Sequence, residues 1–374
     1  MLFASVVRIA INAALVGRRH SGVTTYIVGL INCIRDLGHD VVVYGSSLHI
    51  PKGKGIEVAE TPSGLTFDKG SFAAVLRFTW NQIILPIRLW RDDVDVLVSQ
   101  NADGSLWSPV PQVLIVHDLI PLLYPDEAPR LRFYYRWMFP FLLRQMTAIL
   151  TVSEHTRNDM VRHYGIDPMK VRVAYNGLRW SVTDSMKERK PMDLRFDRYF
   201  LFVGNFARRK NLKTVTEAFA SICEGLIENL VVVAYPDEWS CEYLELIDSL
   251  GLADRVAILN DLQNDELAYV YRHASALFLL SEYEGFGYPA LEAMLIGAAA
   301  VVSDSTSLAE IVGDAAIKIN AHDLNAAAEA MERLSSDQEY RREFQRLGFE
   351  RAKCFTWDST ATSLSETLAL IVPK

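Results

Sequence analysis

The sequence predicts an α/β protein with two doubly wound parallel sheets in series, each covered by helices on both faces. The chain has 374 residues and is 50% hydrophobic, which suits two globular domains that each bury a core. Continuous runs of Val, Ile and Leu alternate with helical stretches, and such runs are typical of parallel strands that are buried on both sides. The alternation restarts after residues 181–198, a polar stretch that we interpret as a linker.

The predicted strands of the first half are apolar runs separated by helical stretches such as TTYIVGLINCIRDLG (24–38). They span residues 6–12, 40–45, 94–100, 113–118, 148–153 and 171–176. The apolar start of the chain resembles a signal peptide, but Arg8 interrupts it and no basic segment precedes it. We therefore expect a buried first strand. No transmembrane helix is expected either, because no run of about eighteen uncharged apolar residues occurs.

The second half repeats the alternation. Its predicted strands span residues 199–204, 229–235, 255–260, 276–281 and 299–304. Helices are predicted near residues 211–225, 240–250, 264–274, 289–296, 306–312, 323–333 and 336–353. The predicted domains are residues 1–180, joined by a C-terminal helix at about 357–374, and residues 197–355. Ligands bind at the carboxyl ends of the strands in such sheets, so the chemistry is expected there, in a cleft between the domains.

Charge is distributed unevenly along the chain, whose net charge is −8. Residues 1–180 hold 19 Lys and Arg against 15 Asp and Glu, whereas residues 181–374 hold 19 against 31. The basic first half fits an anionic partner, such as a membrane surface or a phosphorylated acceptor, and equally fits chance. The four cysteines lie far apart and offer no metal or redox spacing, which indicates reduced thiols in the cytoplasm.

The stretch SEYEGFGYPALEAM (281–294) carries the strongest chemical signal. Glu284 follows a predicted strand, and Glu292 lies in the first turn of the next helix. Gly285 and Gly287 let the backbone approach a ligand closely. Two ionised carboxylates can accept hydrogen bonds from a polyhydroxylated ligand. The residues alone also allow a second interpretation, an acidic cluster favoured by the dipole at the start of a helix.

A basic signal follows the predicted strand YFLFVG (199–204). Arg208, Arg209 and Lys210 come shortly after this strand, at the edge where ligands are expected. Fixed cations at this edge can bind an anionic group of a ligand. The alternative is a solvated basic turn before a helix.

Glu284 and Glu292, with seven residues between them in EGFGYPALEAM, resemble the Glu-x7-Glu signature of the retaining family-4 glycosyltransferases, which have the GT-B fold. Five further segments are similar to that family: SGVTTYIVGL (21–30), VHDLIPLLYP (116–125), TVSEHTRNDMVRHYGIDPMKVRVAYNGL (151–178), FVGNFARRKNL (202–212) and SDSTSLAEIVGDAA (303–316). The chain departs from the pattern at Asn205, where many relatives carry Arg directly after the glycine. This departure affects the expected geometry of the phosphate clamp.

The resemblance implies that Arg209 and Lys210 bind the diphosphate of a nucleotide sugar. Arginine can hold two phosphate oxygens at once, whereas lysine acts as a point charge. Gly22 is expected to let backbone N–H groups meet phosphate oxygens, although a plain strand-to-helix turn would use it equally well. Arg18, Arg19 and His20 precede it and are candidates for contact with an anionic acceptor.

The resemblance also assigns residues to the sugars. Glu284 holds hydroxyls of the transferred sugar, and Glu292 holds the ribose hydroxyls. The neighbouring residues assigned to the same donor site are Gly285, Phe286, Gly287 and Tyr288. His117, at the end of the strand 113–118, orients the transferred sugar or the acceptor hydroxyl as a neutral imidazole.

Taken together, the resemblance implies a retaining, metal-independent transferase that uses no cofactor. It would move a hexose from a nucleotide-diphosphate sugar to a hydroxyl acceptor, with UDP-glucose as the favoured donor and GDP-mannose next. A lipid-linked or growing surface polysaccharide is the expected acceptor, and no nucleic-acid partner is expected. Two other functions stay open: a GT-B nucleotide-sugar epimerase or hydrolase, and a non-catalytic nucleotide-sugar-binding protein.

Two stretches in the first half mix aromatic residues with arginine: LRFTWNQIILPIRLW (76–90) and APRLRFYYRWMFPFLLRQM (128–146). Packing on the core of the first domain is the favoured interpretation, and contact with a membrane surface is the alternative. A cytoplasmic location is expected, with the inner face of the membrane as the site of any such contact. The segment Asp93-Val-Asp95 matches a metal motif of another glycosyltransferase fold, but three residues are too few and we treat the match as accidental.

Overall fold

The structure is a computed structural model, and it divides into two compact units. The first unit is the chain up to Arg179 together with the segment from Thr356 onward, and the second is Trp180–Phe355. The residues that the structure describes are 6–17, 22–48, 50, 53–66, 70–181 and 187–371, without the side chains of residues 70–72. Part of the predicted linker, residues 182–186, therefore lies outside the described residues.

The first unit is built on a seven-stranded parallel sheet in the part of the chain that is described. Its strands are β1 Arg8–Asn12, β2 Asp40–Gly45, β3 Ile56–Glu60, β4 Val96–Gln100, β5 Gln112–Val116, β6 Ala148–Thr151 and β7 Val171–Val173. The order across the sheet is β3-β2-β1-β4-β5-β6-β7. The chain therefore builds outward from β1 on one side and then from β4 on the other. Such a reversal opens a crevice beyond the carboxyl ends of the two central strands.

The helices of the first unit connect these strands. They are α1 Gly22–Asp36, α2 Gly70–Thr79, α3 Leu85–Arg91, α4 Ile120–Leu123, α5 Pro129–Phe133, α6 Phe139–Gln145 and α7 Glu154–Tyr164. A π-helical turn, Trp80–Ile84, joins α2 to α3, and another, Tyr134–Met138, joins α5 to α6. Residues 70–91 and 129–145 therefore run as two continuous helices. Among the described residues, no helix has both the length and the apolar character needed to cross a membrane.

Among its described residues, the second unit contains a six-stranded parallel sheet with the order β10-β9-β8-β11-β12-β13. Its strands are β8 Tyr199–Gly204, β9 Asn229–Ala234, β10 Val256–Leu259, β11 Ala276–Leu279, β12 Ala299–Ser303 and β13 Ile317–Ile319. Its helices are α8 Leu212–Ile222, α9 Ser240–Ser249, α10 Asn264–Arg272, α11 Tyr288–Ile296, α12 Thr306–Val312, α13 Leu324–Ser336 and α14 Gln338–Ala352. The inner strands of this sheet are mainly apolar and largely buried, as expected of strands covered on both faces.

The C-terminal helix α15, Trp357–Ile371, packs on α1 in the first unit. A Cβ atom added to Gly29 would lie 2.0 Å from the Trp357 ring, and one added to Gly177 would lie 2.5 Å from it. Both glycines are therefore needed for the indole to fit. The indole Nε1 donates a hydrogen bond to the carbonyl oxygen of Leu178 at 2.9 Å, which anchors the start of the helix.

The predicted fold class is confirmed, since both units are parallel α/β sheets wound in both directions. Two strands, β3 and β13, were not predicted from the sequence. Both are short edge strands with charged residues and incomplete burial, IEVAE and IKI. An edge strand pairs on one side only, so it needs no continuous apolar run and leaves little local signal.

Candidate active site

Three neighbouring strands of the second sheet end at the corner where the predicted donor residues lie. These are β8, β11 and β12, which pair in parallel. A 3-10 turn, Arg208–Lys210, lies in the loop after β8, and the loop after β11 leads into α11. The two loops meet because parallel strands end at the same edge. The backbone N–H of Glu282 donates to the carbonyl oxygen of Arg209 at 2.8 Å and joins them.

Lys210, Arg209 and Glu284 form a buried ion cluster at this corner. The Lys210 Nζ lies 2.5 Å from the Glu284 Oε1, and the Arg209 Nη1 lies 3.8 Å from the Glu284 Oε2. The Arg209 Nη1 also donates to the carbonyl oxygen of Tyr283 at 2.7 Å, which fixes the guanidinium. The side chains of Arg209 and Glu284 are only 5% and 10% exposed, so these charges interact in a medium that screens them weakly.

The electrostatics of the cluster keep Glu284 ionised. Burial raises the pKa of Glu284, but the charges of Lys210 and Arg209 and the hydrogen bonds from Lys210 and Ser281 lower it by more. The pKa of this carboxyl group therefore lies below its ordinary value. The Ser281 Oγ donates to the Glu284 Oε1 at 2.7 Å. An ionised carboxylate here balances two buried cations and holds them in place.

Three serines shape the loop that carries Glu284, and the sequence analysis gave them no role. The Ser303 Oγ donates to the carbonyl oxygen of Ser281 at 2.7 Å. The Ser307 Oγ lies 2.7 Å from the carbonyl oxygen of Glu284 and 3.1 Å from that of Phe286. Ser303 and Ser307 come from the end of β12 and from α12. They fall inside the segment that resembles the family, 303–316, but nothing local shows where their hydroxyls point.

Gly287 lies in a backbone conformation that favours glycine. It has φ 109° and precedes α11 directly. A Cβ atom at this position would lie 2.5 Å from a methyl group of Leu308, so a side chain is excluded by space as well. The ring of Phe286 packs edge-to-face on that of Tyr288, with centroids 5.2 Å apart. Gly285, Phe286, Gly287 and Tyr288 are thus brought beside Glu284 at the start of the helix, as predicted from the chain order.

Glu292 lies in α11 with its side chain buried. The Tyr271 hydroxyl on α10 donates to the Glu292 Oε2 at 3.0 Å. The Tyr271 ring in turn lies edge-to-face with that of Trp180, at 6.2 Å between centroids. This buried contact orients the carboxylate, and the sequence analysis did not identify either aromatic residue. A role in holding ribose hydroxyls stays a prediction.

The loop after β8 shows how the departure at Asn205 is accommodated. Asn205 is exposed, and the next backbone N–H, from Phe206, donates to the Asp237 carboxylate at 3.0 Å. Arg208 also points to solvent, where it pairs with Glu242 at 2.9 Å. Of the three consecutive cations, Arg209 and Lys210 reach Glu284 whereas Arg208 does not.

His117 follows β5 in the first unit and is buried. Its Nε2 lies 2.9 Å from the Gln100 Oε1, and its backbone N–H donates to the Asn101 side chain at 3.0 Å. The Tyr26 ring meets the imidazole edge-to-face at 4.7 Å. Since an amide oxygen only accepts, the proton of the neutral ring lies on Nε2, and Nδ1 is the acceptor.

We expect His117 to stay neutral at physiological pH. Desolvation lowers the pKa of His117 to about 4 in the folded protein. The unfolded chain, with a histidine pKa of about 6.5, therefore binds the proton more readily. The contribution of His117 to the free energy of unfolding is therefore complete above about pH 6.5, the pKa in the unfolded chain. It is lost as the pH falls toward about 4.

The pKa of His117 can be measured by the NMR shift of its ring carbon, assigned with the variant His117→Asn. The variant Gln100→Glu places a carboxylate against Nε2 and is expected to raise the pKa. A wild-type titration midpoint near that of an ordinary solvated histidine, about 6.5, would contradict the buried neutral state.

Gly22 is the first residue of α1 and is exposed. Its contact with a phosphate stays a prediction, because the preceding residues Arg18, Arg19 and His20 lie outside the described residues. The Asp-x-Asp match has a structural explanation. The Asp95 Oδ2 accepts the backbone N–H of Arg8 at 2.7 Å, beside the start of β1.

Metal-ligating side chains do not gather in the described part of the chain. There, no group of three His, Cys, Asp or Glu residues is placed to hold a metal ion. The described cysteines are all free thiols. The residues that meet at the strand ends of the second sheet are instead two cations and a carboxylate, and independence from metal stays a prediction.

Two family models match this chain. The model described as "Glycosyltransferase Family 4" matches residues 20–179, and the model described as "Glycosyl transferases group 1" matches residues 186–351. The two matches are consecutive and together span most of the chain. Each falls almost entirely within one of the two units.

Curated relatives agree with these models. The chain is 28% identical over 212 residues to the O-antigen chain mannosyltransferase RfbU of Salmonella typhimurium, covering 57% of each chain. It is 26% identical over 269 residues to the O-antigen chain mannosyltransferase B of Escherichia coli, covering 69% of this chain and 70% of the relative. The match therefore spans little more than half the length of the Salmonella relative.

A solved structure shares the fold over nearly the whole length. The sucrose-phosphate synthase of Thermosynechococcus elongatus superposes with a TM-score of 0.79 at 19% identity, covering 97% of this chain and 98% of the other. At that identity the likeness establishes the architecture alone. Taken with the two family models, it places the chain in a family: this protein belongs to the family-4 glycosyltransferases and has the GT-B fold.

Proposed function

We propose that this enzyme transfers a hexose from a nucleotide-diphosphate sugar to a hydroxyl group of a growing or lipid-linked surface polysaccharide, and that the hexose is mannose. The observation that carries the proposal is the buried cluster of Lys210, Arg209 and Glu284 at the strand ends of the second unit. The sequence favoured UDP-glucose over GDP-mannose. The names of the two curated relatives, both O-antigen mannosyltransferases, support the second donor instead.

The cation cluster suits a diphosphate leaving group. Lys210 is held by Glu284 through one contact, and its ammonium group has three N–H donors to direct at acceptors. Arg209 is fixed by the carbonyl oxygen of Tyr283, so it needs little rearrangement when charge develops. Cations that are already in place stabilise the negative charge of the departing diphosphate most strongly in the transition state.

In the proposed reaction the bond from the anomeric carbon to the diphosphate oxygen breaks, and a bond from that carbon to the acceptor oxygen forms. The proton of the acceptor hydroxyl passes to an oxygen of the leaving phosphate. We propose that the new bond forms on the same face of the sugar, with retention and without a covalent intermediate. Neither a metal ion nor a cofactor takes part in this proposal.

The remaining assignments follow the same chemistry. Glu284 and the backbone of Gly285, Phe286 and Gly287 would meet hydroxyls of the hexose, and Glu292 would accept from the ribose. His117, neutral and held by Gln100, would orient a hydroxyl of the sugar or of the acceptor through Nδ1. Hydrogen bonds to hydroxyls of this kind give a site its discrimination among sugars.

A donor panel tests this proposal. We expect GDP-mannose to raise the melting temperature of the purified chain, and UDP-glucose, UDP-galactose and ADP-glucose to leave it unchanged. At a ligand concentration of a hundred times Kd the stabilisation amounts to about 2.7 kcal/mol. Stabilisation by UDP-glucose alone would instead support the donor that the sequence favoured.

Incubation with the donor that stabilises the chain distinguishes a transferase from a hydrolase or epimerase and from a non-catalytic binding protein. Sugar transfer to a mannan or lipid-linked oligosaccharide acceptor, followed by mass spectrometry, supports the proposal. Consumption of the donor without any acceptor would indicate a hydrolase or an epimerase. Tight binding with neither transfer nor consumption would indicate a binding protein.

A further inference from the structure

Residues 70–91 and 129–145, the two continuous helices, pack on the same face of the first sheet. Leu97 of β4 belongs to the core cluster beneath the first helix, and Leu114 of β5 to the cluster beneath the second. Leu114 pairs with Ser99 across the ladder, so these two side chains lie on one face. Leu97 and Ser99 are two residues apart on the same strand and share that face too. The outer sides of both helices therefore point away from the same side of the sheet.

The inner sides of the two helices fill the core, as the favoured sequence interpretation predicts. Buried core residues are Trp80, Leu85 and Leu89 in the first helix, and Tyr135, Phe139, Leu142 and Leu143 in the second. The helices also contact each other, since the rings of Phe78 and Tyr134 lie 6.1 Å apart, edge to face. Core packing thus accounts for one side of each helix only.

The outer sides carry large apolar residues that are exposed. They are Ile83, Ile87 and Trp90 on the first helix, and Phe133, Trp137 and Phe141 on the second. Their spacings of three and four residues align each set along one side of its helix. Trp90 is 77% exposed and Trp137 is 62% exposed, so these rings project into solvent. Isolated exposed apolar residues are ordinary, but two aligned rows mark an interaction surface.

The charge on this surface has a single sign. Neither helix contains an Asp or a Glu, although the whole chain carries a net charge of −8. The exposed arginines on the two helices are Arg91, Arg130, Arg132, Arg136 and Arg144. Arg136 lies 5.6 Å from the centroid of the Trp137 ring, and Arg144 lies 5.5 Å from that of Phe141. We call these five arginines and the six apolar residues the aromatic–arginine face.

We propose that the aromatic–arginine face binds the surface of an anionic lipid bilayer. Aromatic rings settle at the boundary between headgroups and acyl chains, and guanidinium groups pair with lipid phosphates just above them. Helices that lie flat with an apolar row and a basic row are the usual means of such binding. The arginines beside the exposed rings match the negative charge of such a surface.

A third exposed indole extends the same region. Trp107 is 72% exposed and lies in the loop after β4. The backbone N–H of its neighbour Leu106 donates to the Gln82 side chain at 2.8 Å, which ties this loop to the first helix. The loop therefore adds a further anchor for the bilayer boundary next to residues 70–91.

Flotation with lipid vesicles tests the proposal. We expect the intact chain to float with vesicles of phosphatidylcholine containing about a third phosphatidylglycerol and not with phosphatidylcholine alone, because the arginines meet anionic headgroups. The double variant Arg132→Ala, Arg136→Ala is expected to weaken the partition coefficient by roughly tenfold or more. A similar loss is expected for Trp137→Ser with Phe141→Ser. Because all four side chains are exposed, the variants are expected to fold.

A matched control uses α14 of the second unit. Arg342 and Arg346 are exposed with the same spacing as Arg132 and Arg136, and their double alanine variant should float like the wild type. Equal flotation of wild type and face variants, or no flotation of the wild type, would overturn the proposal. A dimer seen by light scattering without lipid and abolished by Trp137→Ser would assign the face to a second copy instead. The donor panel is independent of all these results.

Discussion

Replacing Lys210 with methionine is expected to lower the rate of sugar transfer by about two to three orders of magnitude, the usual cost of removing one preorganised group from a developing anion. Methionine keeps much of the length of the lysine side chain and removes its charge. The loss should fall mainly on kcat, because the departing diphosphate is more negative in the transition state than in the ground state. Initial rates at saturating donor measure it directly.

The fold should survive this replacement. Glu284 keeps the hydrogen bond from Ser281 and the charge of Arg209 when the ammonium group is gone. Arg208→Met is the matched control, because Arg208 is adjacent in sequence but points to solvent and pairs with Glu242. We expect this control to keep nearly full activity. Equal losses of activity in the two variants would show that the total positive charge of the turn matters, and would contradict a specific role for Lys210.

Replacing Glu284 with glutamine is expected to lower stability as well as activity. The change leaves Arg209 and Lys210 buried without their counter-charge, and breaking a buried ion pair in this way costs about 3–5 kcal/mol. Transfer should fall by at least about a hundredfold, because the two cations lose the group that positions them. Urea unfolding measures the first effect, and the transfer assay measures the second.

The pH dependence of stability gives an independent check on Glu284. Its folded-state pKa lies below the ordinary value, so its stabilising contribution is complete above the unfolded pKa and is lost as the pH falls through the folded pKa. The free energy of unfolding should therefore fall in acid more steeply for the wild type than for Glu284→Gln. Glu282→Gln is the matched control in the same loop, since Glu282 is paired with the exposed His322, at 3.4 Å. Identical acid profiles for wild type and Glu284→Gln would contradict the buried pair.

The sequence was sufficient for the architecture wherever strands are buried. The runs VVVY in β2 and ALFL in β11 are apolar throughout because both of their faces are covered, and this pattern is local. The strands β3 and β13 were not predicted, because pairing with a neighbouring strand defines them and their own hydrophobicity does not. Local sequence also predicted the end of a helix. Gly297 ends α11 in a left-handed conformation, as its residue type indicated.

The candidate site was only partly predictable. The order of the strands placed Arg209, Lys210 and Glu284 at one sheet edge, so their proximity followed from topology. Which cation meets the carboxylate did not follow, because Lys210 and Glu284 are 74 residues apart and a shift of one residue would present Arg208 instead. The role of Ser307 in holding the loop was equally hidden, because a serine hydroxyl has no directional signal in sequence.

The amphipathic stretches 76–90 and 128–146 were also only partly predictable from the sequence. Composition alone left core packing and membrane contact as alternatives, whereas the sheet register places both helices on one face and shows that each has a core side and an exposed side.

By itself, the sequence determined that two parallel sheets form in succession and which segments carry acidic and basic groups, since apolar runs and motif order are local properties of the chain. The tertiary structure alone decided which of those groups meet, which are buried and which project into solvent. The physical reason is that charge pairing and desolvation act through space, between residues that the backbone brings together from distant positions.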